Sequence, residues 1–327
     1  MSKCKGEVIM PKGNTPIMNQ FEKLFRHTRA NSYATRARYK NSCKTFIEFL
    51  DKEFQMKNLA NLQDKHLVAY IKYRKEEGIA SKTIKNDLGA IRYMHDMIHN
   101  AKYLISDNQT LQKENDVTLE STPAVKGDRG WTEEEFTSMC SFLNSKTESH
   151  KLAQDLHDII VLCRTMGFRI TEAVAMRRAQ VRQASRNGQY QVQSEAKNGK
   201  WRKVPLSPVA HQVMLRRVAK LDSTDRLFVG ENEKTHEVVL RFENALAALR
   251  DRMVTDEGRE KRTWTKEEMS IVNPLTFHGL RYSYVQERMK DEMDKGYSWE
   301  IAAGKVTQEV GHNRTDVIKV YLADSLD

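Results

Sequence analysis

Along most of this chain, hydrophobic residues recur at intervals of three and four. Tyr39, Cys43, Phe46, Ile47 and Leu50 mark one helical stripe; Leu67, Tyr70 and Ile71 mark a second, beginning near Asp64 and stopping at Gly78. Ser81 has the character of an N-cap, and the helix it opens is expected to bury Ile84, Leu88, Ile91 and Ile98. Residues 1–20, with Pro11, Gly13 and Pro16, read as a flexible tail, and 21–120 as a helical domain. Residues 121–130 lose the period again and carry Pro123, Gly127 and Gly130, the composition of a linker. At Trp131 the pattern restarts. Thr132 stands at an N-cap with Glu135 at capping-box spacing, and Leu156, Ile159, Ile160, Cys163 and Met166 keep helical spacing up to Gly167. The period then changes to two: Tyr190, Val192 and Ser194 alternate with Gln191 and Gln193, Val204 and Leu206 alternate further on, and Asn198-Gly199 between them is a hairpin signal. The expected architecture is mainly α with a small β-sheet: a helical N-terminal domain, then an α+β domain over 131–327.

Composition sharpens this picture. A chain of 327 residues, 39% hydrophobic, has material for two cores. Its net charge of +10 is unevenly spread: residues 1–118 hold 21 Lys and Arg against 13 Asp and Glu, the remainder 33 against 31. The N-terminal part is therefore the electrostatic footprint, suited to double-stranded DNA, although RNA, acidic partners or a membrane surface would also attract it. No apolar run is long enough to span a membrane and the first residues lack a signal-peptide pattern, so a soluble, cytoplasmic protein is expected. Cys4, Cys43, Cys140 and Cys163 are scattered, without ligand or disulfide spacing, and no nucleotide-binding motif occurs. Metal and cofactor are expected to be absent.

Five short segments carry candidate chemistry. Arg169 closes Met166-Gly167-Phe168-Arg169 with Glu172 three residues on; His278 and Arg281 share Phe277-His278-Gly279-Leu280-Arg281; His312 follows Gly311; Tyr321 lies nine residues later. The hairpin supplies Lys197 and Lys200. Attack on a phosphodiester builds charge on the non-bridging oxygens, which planar guanidinium groups match with paired donors. Phenol is a weak nucleophile at neutral pH, so a tyrosine there needs a base and a cationic setting. Each residue alone has a plainer reading as a cap, an exposed charge or a packed ring. Their order and spacing together favour the chemical one.

The segments resemble those of the tyrosine recombinases, the phage-integrase and Xer-type group. The resemblance implies a helical core-binding domain, an α+β catalytic domain, and strand cleavage through a 3'-phosphotyrosyl link made by Tyr321. It implies that Arg169, Arg281 and His312 stabilise the phosphate, that His278 assists proton movement, and that Lys197, with Lys200 as the alternative, protonates the leaving 5'-oxygen. The start of the third helix, Ser81, Lys82, Thr83, Lys85 and Asn86, is expected to touch DNA, as are Lys200 and Arg202. A homotetramer on paired sites, directionality or DNA-bending accessory proteins, and a mobile-element setting follow from the same resemblance.

Three features depart from the family pattern. Only six residues follow Tyr321, the interval from Arg281 to His312 is long with a polar stretch at 290–298, and 250–273 is highly charged. The latter two read as loops, with a protomer contact and a DNA-facing arm as the respective alternatives. Competing readings are a type IB topoisomerase, a metal-dependent nuclease using Glu195 and Lys197, and a DNA-binding protein without catalysis.

Overall fold

The computed structural model describes residues 15–26, 33–121, 127–146, 151–193, 195, 199, 201–220, 225–266 and 268–322. The chain divides into two compact units, residues 1–123 and 124–327.

The first unit is helical. It comprises α1 (Pro16–Arg26), α2 (Tyr33–Phe54), α3 (Asp64–Glu76), α4 (Ser81–His95) and α5 (Asn108–Glu114). Residues 16–20 correct the expectation of a tail reaching position 20. Pro16 opens α1, where its missing N–H costs nothing, and Ile17, Phe21 and Phe25 fall four apart and are buried. Each such side chain contributes roughly 1.5–3 kcal/mol on burial, enough to hold a short helix that propensity alone would not. The stripes of α2 and α4 pack together, and the Cys43 thiol donates to the Ala90 carbonyl at 3.2 Å. Burial, then the nearby Asp87 charge, pushes that thiol up to about 12, so it is inert. Phe46 and Phe49 each meet the Tyr70 ring edge-on, at 5.0 and 5.3 Å, and close the core. The cap of α4 is Ala80 rather than Ser81. The Ser81 hydroxyl instead donates to Glu120, whose carboxylate also pairs with Lys75 at 2.7 Å and whose carbonyl accepts from Lys85 at 2.9 Å.

The second unit is built around α7 (Lys151–Met166), flanked by α6 (Glu133–Asn144) and α13 (Phe277–Asp294). Around them lie α8 (Ile170–Val174), α9 (Arg178–Asn187), α10 (Pro208–Ala219), α11 (Thr235–Leu249), α12 (Asp256–Lys261), α14 (Trp299–Val310) and α15 (Val317–Leu322). The capping box at α6 forms as read: the Thr132 hydroxyl accepts from the Glu135 N–H at 3.2 Å, and the Glu135 carboxylate accepts from the Thr132 N–H at 3.0 Å. Glu135 has a second task. Arg262 donates to both its oxygens, at 2.5 and 2.6 Å, in a pair closed to solvent.

Among the described residues two small antiparallel sheets are present where one was expected. β1 (Gln189–Val192) pairs with β2 (Arg202–Pro205), Val192 opposite Arg202 and Gln189 opposite Pro205. β3 (Thr263–Lys266) pairs with β4 (Met269–Val272). The charged stretch 250–273 is thus largely helix and hairpin, anchored by the inward-facing Arg262; its charges hide a short period-two run. The interval 290–298 is mostly helix as well, since α13 continues to Asp294. Among the described residues no helix is long and apolar enough to cross a membrane.

Candidate active site

Four segments distant in sequence meet at one cavity of the second unit. Arg169 is the residue before α8, and its main-chain N–H donates to Glu172 at 2.8 Å while its guanidinium donates to the same carboxylate at 2.9 Å. Glu172 is buried and accepts two further bonds from Arg202, at 2.9 and 2.6 Å. Burial raises the Glu172 carboxyl, but the hydrogen bonds and charge of Arg202, with Arg169, outweigh it and hold it below its ordinary value. Arg202 also donates to the Glu309 carbonyl at 2.7 Å. Its expected contact with DNA is therefore corrected: the side chain is buried, and a guanidinium with these partners braces Arg169 and the end of α14 from behind.

Helix α13 supplies the next pair. The Thr276 hydroxyl accepts from the Gly279 N–H at 3.0 Å, and this cap starts the helix so that His278 and Arg281 reach the cavity. Arg281 is wholly buried and donates to the carbonyls of Gly167 and Val310. Both anchor points depend on glycine. Gly167 has φ +58°, with Tyr284 so close that a Cβ would lie 2.3 Å from its ring, and Gly311, with φ +69°, ends α14 in the left-handed conformation just after the Val310 carbonyl. Burial lowers the Arg281 guanidinium to about 10, with Tyr321 and Glu172 acting to raise it and Arg169 to lower it, so it stays charged at neutral pH.

Tyr321 lies on α15. Its ring is buried against Tyr282, centroids 4.6 Å apart, and against His278 at 5.9 Å. Its hydroxyl meets His312 Nε2 at 2.9 Å and receives Arg281 Nε at 3.5 Å. The phenol is thus packed on one side while its oxygen meets the Arg281 guanidinium and the His312 imidazole. His278 stays open at the cavity, yet its imidazole is pushed down to about 4, first by loss of water, then by repulsion from Arg281, Arg129, Arg169 and His312. It is neutral at physiological pH.

The cavity encloses about 530 Å³ and is lined by Arg129, Arg169, Arg250, His278 and Arg281, with Glu243 as its acidic member. Of the residues picked out in the sequence, Arg169, His278 and Arg281 line it, and Arg281 carries on to the Tyr321 hydroxyl, which also meets His312. Lys197 and Lys200 lie outside the described residues. Lys82, Thr83 and Asn86 are exposed on the first turns of α4, whereas Ser81 and Lys85 are engaged by Glu120. Among the described residues, no group of three or more His, Cys, Asp or Glu side chains could hold a metal ion.

Residues 18–102 match the phage integrase N-terminal SAM-like domain. Over 94% of both chains, the structure is similar to the Tn1549 transposon integrase in complex with a circular intermediate DNA, with a TM-score of 0.57 and 17% identity. It is also similar to the XerH site-specific recombinase bound to a palindromic difH substrate, over 93% of this chain and 80% of that one (TM-score 0.57, 18% identity). A lambda integrase tetramer bound to a Holliday junction gives a TM-score of 0.57 at 14% identity, over 93% and 75% of the two chains. The chain has the tyrosine-recombinase fold. No curated protein is detectably similar to it in sequence.

Within this recombinase fold, sequence reasoning missed two cavity arginines. Arg129 was assigned to a linker and Arg250 to a charged loop. A guanidinium in a Pro- and Gly-bearing stretch looks solvated. Only Asp128, whose carboxylate accepts from the Arg129 and Gly130 N–H groups at 2.5 and 2.6 Å, marks the turn that aims Arg129.

Proposed function

We propose that the protein is a site-specific DNA recombinase that cleaves and rejoins strands through a 3'-phosphotyrosyl intermediate on Tyr321. The observation that carries this reading is the Tyr321 hydroxyl, 2.9 Å from His312 and 3.5 Å from Arg281, beside a cavity lined by Arg169, Arg281 and His278. In this scheme the phenolic oxygen attacks phosphorus, the bond to the 5'-oxygen breaks, and Lys197 protonates the departing 5'-hydroxyl. The tyrosine proton leaves through His312, its hydrogen-bonded partner, with neutral His278 against the ring to assist. Arg169 and Arg281 take the developing charge on the non-bridging oxygens, held in advance by Glu172 and by the Gly167 and Val310 carbonyls. Because the phosphotyrosyl bond conserves the ester, a 5'-hydroxyl from another strand reverses the step without a nucleotide cofactor. Lys82, Thr83 and Asn86 contribute to holding the duplex, and strand exchange between two sites calls for four protomers.

The test is covalent capture. The full chain, in chelator, is mixed with sheared DNA of the genome that encodes it, and adducts surviving denaturant are recovered and sequenced. A defined set of duplexes, absent with Tyr321→Phe, is the expected result. No adduct from the wild-type protein, or adducts that persist with Tyr321→Phe, overturns the reading.

A further inference from the structure

Besides Arg281, helix α13 grips Tyr321 with three further residues. His278, Tyr282 and Gln286 are spaced four apart and so share one face of the helix. The first two meet the Tyr321 ring, and the Gln286 amide donates to the Tyr321 main-chain carbonyl at 2.9 Å. The same amide nitrogen donates to both oxygens of Asp128, at 2.9 and 3.0 Å. Asp128 is buried, its carboxylate caps the N–H groups of Arg129 and Gly130, and its carbonyl accepts from Asn273 at 2.8 Å. The Gln286 oxygen is fixed in turn by Lys261 at 3.2 Å. One side chain therefore joins the backbone of the candidate nucleophile to the turn that presents Arg129 to the cavity.

We infer that Gln286, acting with Asp128, is a positioning residue of the cleavage site that sets Tyr321 and Arg129 in register with one another. This rests on the proposed strand-cleaving role. Gln286 touches no reacting atom. It fixes how far α15 projects and, through Asp128, where a third guanidinium stands beside Arg169 and Arg281. A nucleophile displaced by about 1 Å loses on the order of 100-fold in rate.

Single-turnover adduct formation is measured on a duplex recovered by the capture experiment, with Gln286→Met, which keeps the length and removes every hydrogen bond, and with Gln286→Glu in case the first variant folds poorly. The expected result is a rate lower by roughly 10- to 100-fold, with duplex affinity changed by no more than about twofold. On a substrate with sulfur in place of the bridging 5'-oxygen, which departs without an acid, the defect should persist, because attack and not leaving-group protonation is impaired. Asp128→Ala combined with Gln286→Met should be no slower than the slower single variant. Wild-type rates in the Gln286 variants, a defect erased by sulfur, or additive losses would each overturn the inference and leave the strand-cleaving role standing. Should wild-type protein form no adduct, that role falls instead. Hydrogen exchange then judges the relay alone: faster exchange at 127–130 and 317–322 in Gln286→Met supports it, and unchanged exchange overturns it.

Discussion

His278 and Arg202 show how far a side chain's surroundings change its meaning. Loss of water, and then the positive charges around it, hold the His278 imidazole near 4 in the folded protein, against about 6.5 in an unfolded chain. The unfolded state therefore binds the proton more readily between these values. Stability contributed by the neutral ring is complete above about 6.5 and is lost as pH falls toward 4. Urea titrations across this window should show a shallower loss of stability in His278→Gln than in the wild type; parallel curves would refute the assignment. Arg202 has the opposite history. Beside Lys200 and Lys203 it reads as one more exposed cation, yet it closes over buried Glu172. Removing it with Arg202→Ala leaves the buried carboxylate with Arg169 but without its second guanidinium, and unfolding free energy should drop by about 3 kcal/mol, the lower end for a broken buried pair. Duplex affinity of the remaining folded protein should stay within about twofold, whereas a DNA-contacting arginine would cost about 1–3 kcal/mol in binding.

At the scale of elements, legibility followed periodicity. The stripes on α2, α3, α4 and α7 were visible because uninterrupted apolar residues at three and four leave few alternatives, and the α6 capping box was visible because both partners are local. The start of α1 was masked: Ile17, Phe21 and Phe25 form a stripe, but proline and glycine just upstream suggested a tail. The β3–β4 hairpin was missed because its alternation is short and charged, and because what anchors it, Arg262 on Glu135, joins residues 127 positions apart. For the site, the spacing of Arg169, His278, Arg281, His312 and Tyr321 was legible, while the supports behind them were not, since carbonyl anchors leave no trace in residue type. Gly167 is the exception. Its φ of +58° and the Tyr284 ring at a would-be Cβ imply that Gly167→Ala moves the carbonyl that holds Arg281. A loss of about 1–3 kcal/mol in stability is expected from the strained backbone, together with slower adduct formation at saturating DNA. A variant with normal stability and rate would show that Arg281 does not depend on this anchor.

For the whole molecule, charge and chemistry are divided along the chain. Residues 1–118 hold a net excess of eight cations, while the rest, which carries Tyr321 and its cavity, is nearly balanced. If the first segment supplies most phosphate neutralisation, duplex affinity should fall steeply with salt, and each lost contact should lower the slope of log affinity against log salt by about 0.9. Position within α4 then decides which lysine matters. Lys82 is exposed at the first turn, whereas the Lys85 ammonium is held by the Glu120 carbonyl at 2.9 Å. Lys82→Gln should therefore reduce the slope by about one unit and weaken binding to unrelated sequences alike, while Lys85→Gln should leave the slope near its wild-type value. At saturating DNA neither should alter the rate of adduct formation, because neither belongs to the lining of the cavity. Equal slopes for the two variants would mean that Lys85 leaves Glu120 when DNA arrives, and a reduced rate at saturation would mean that the division of labour drawn from the charge distribution is wrong.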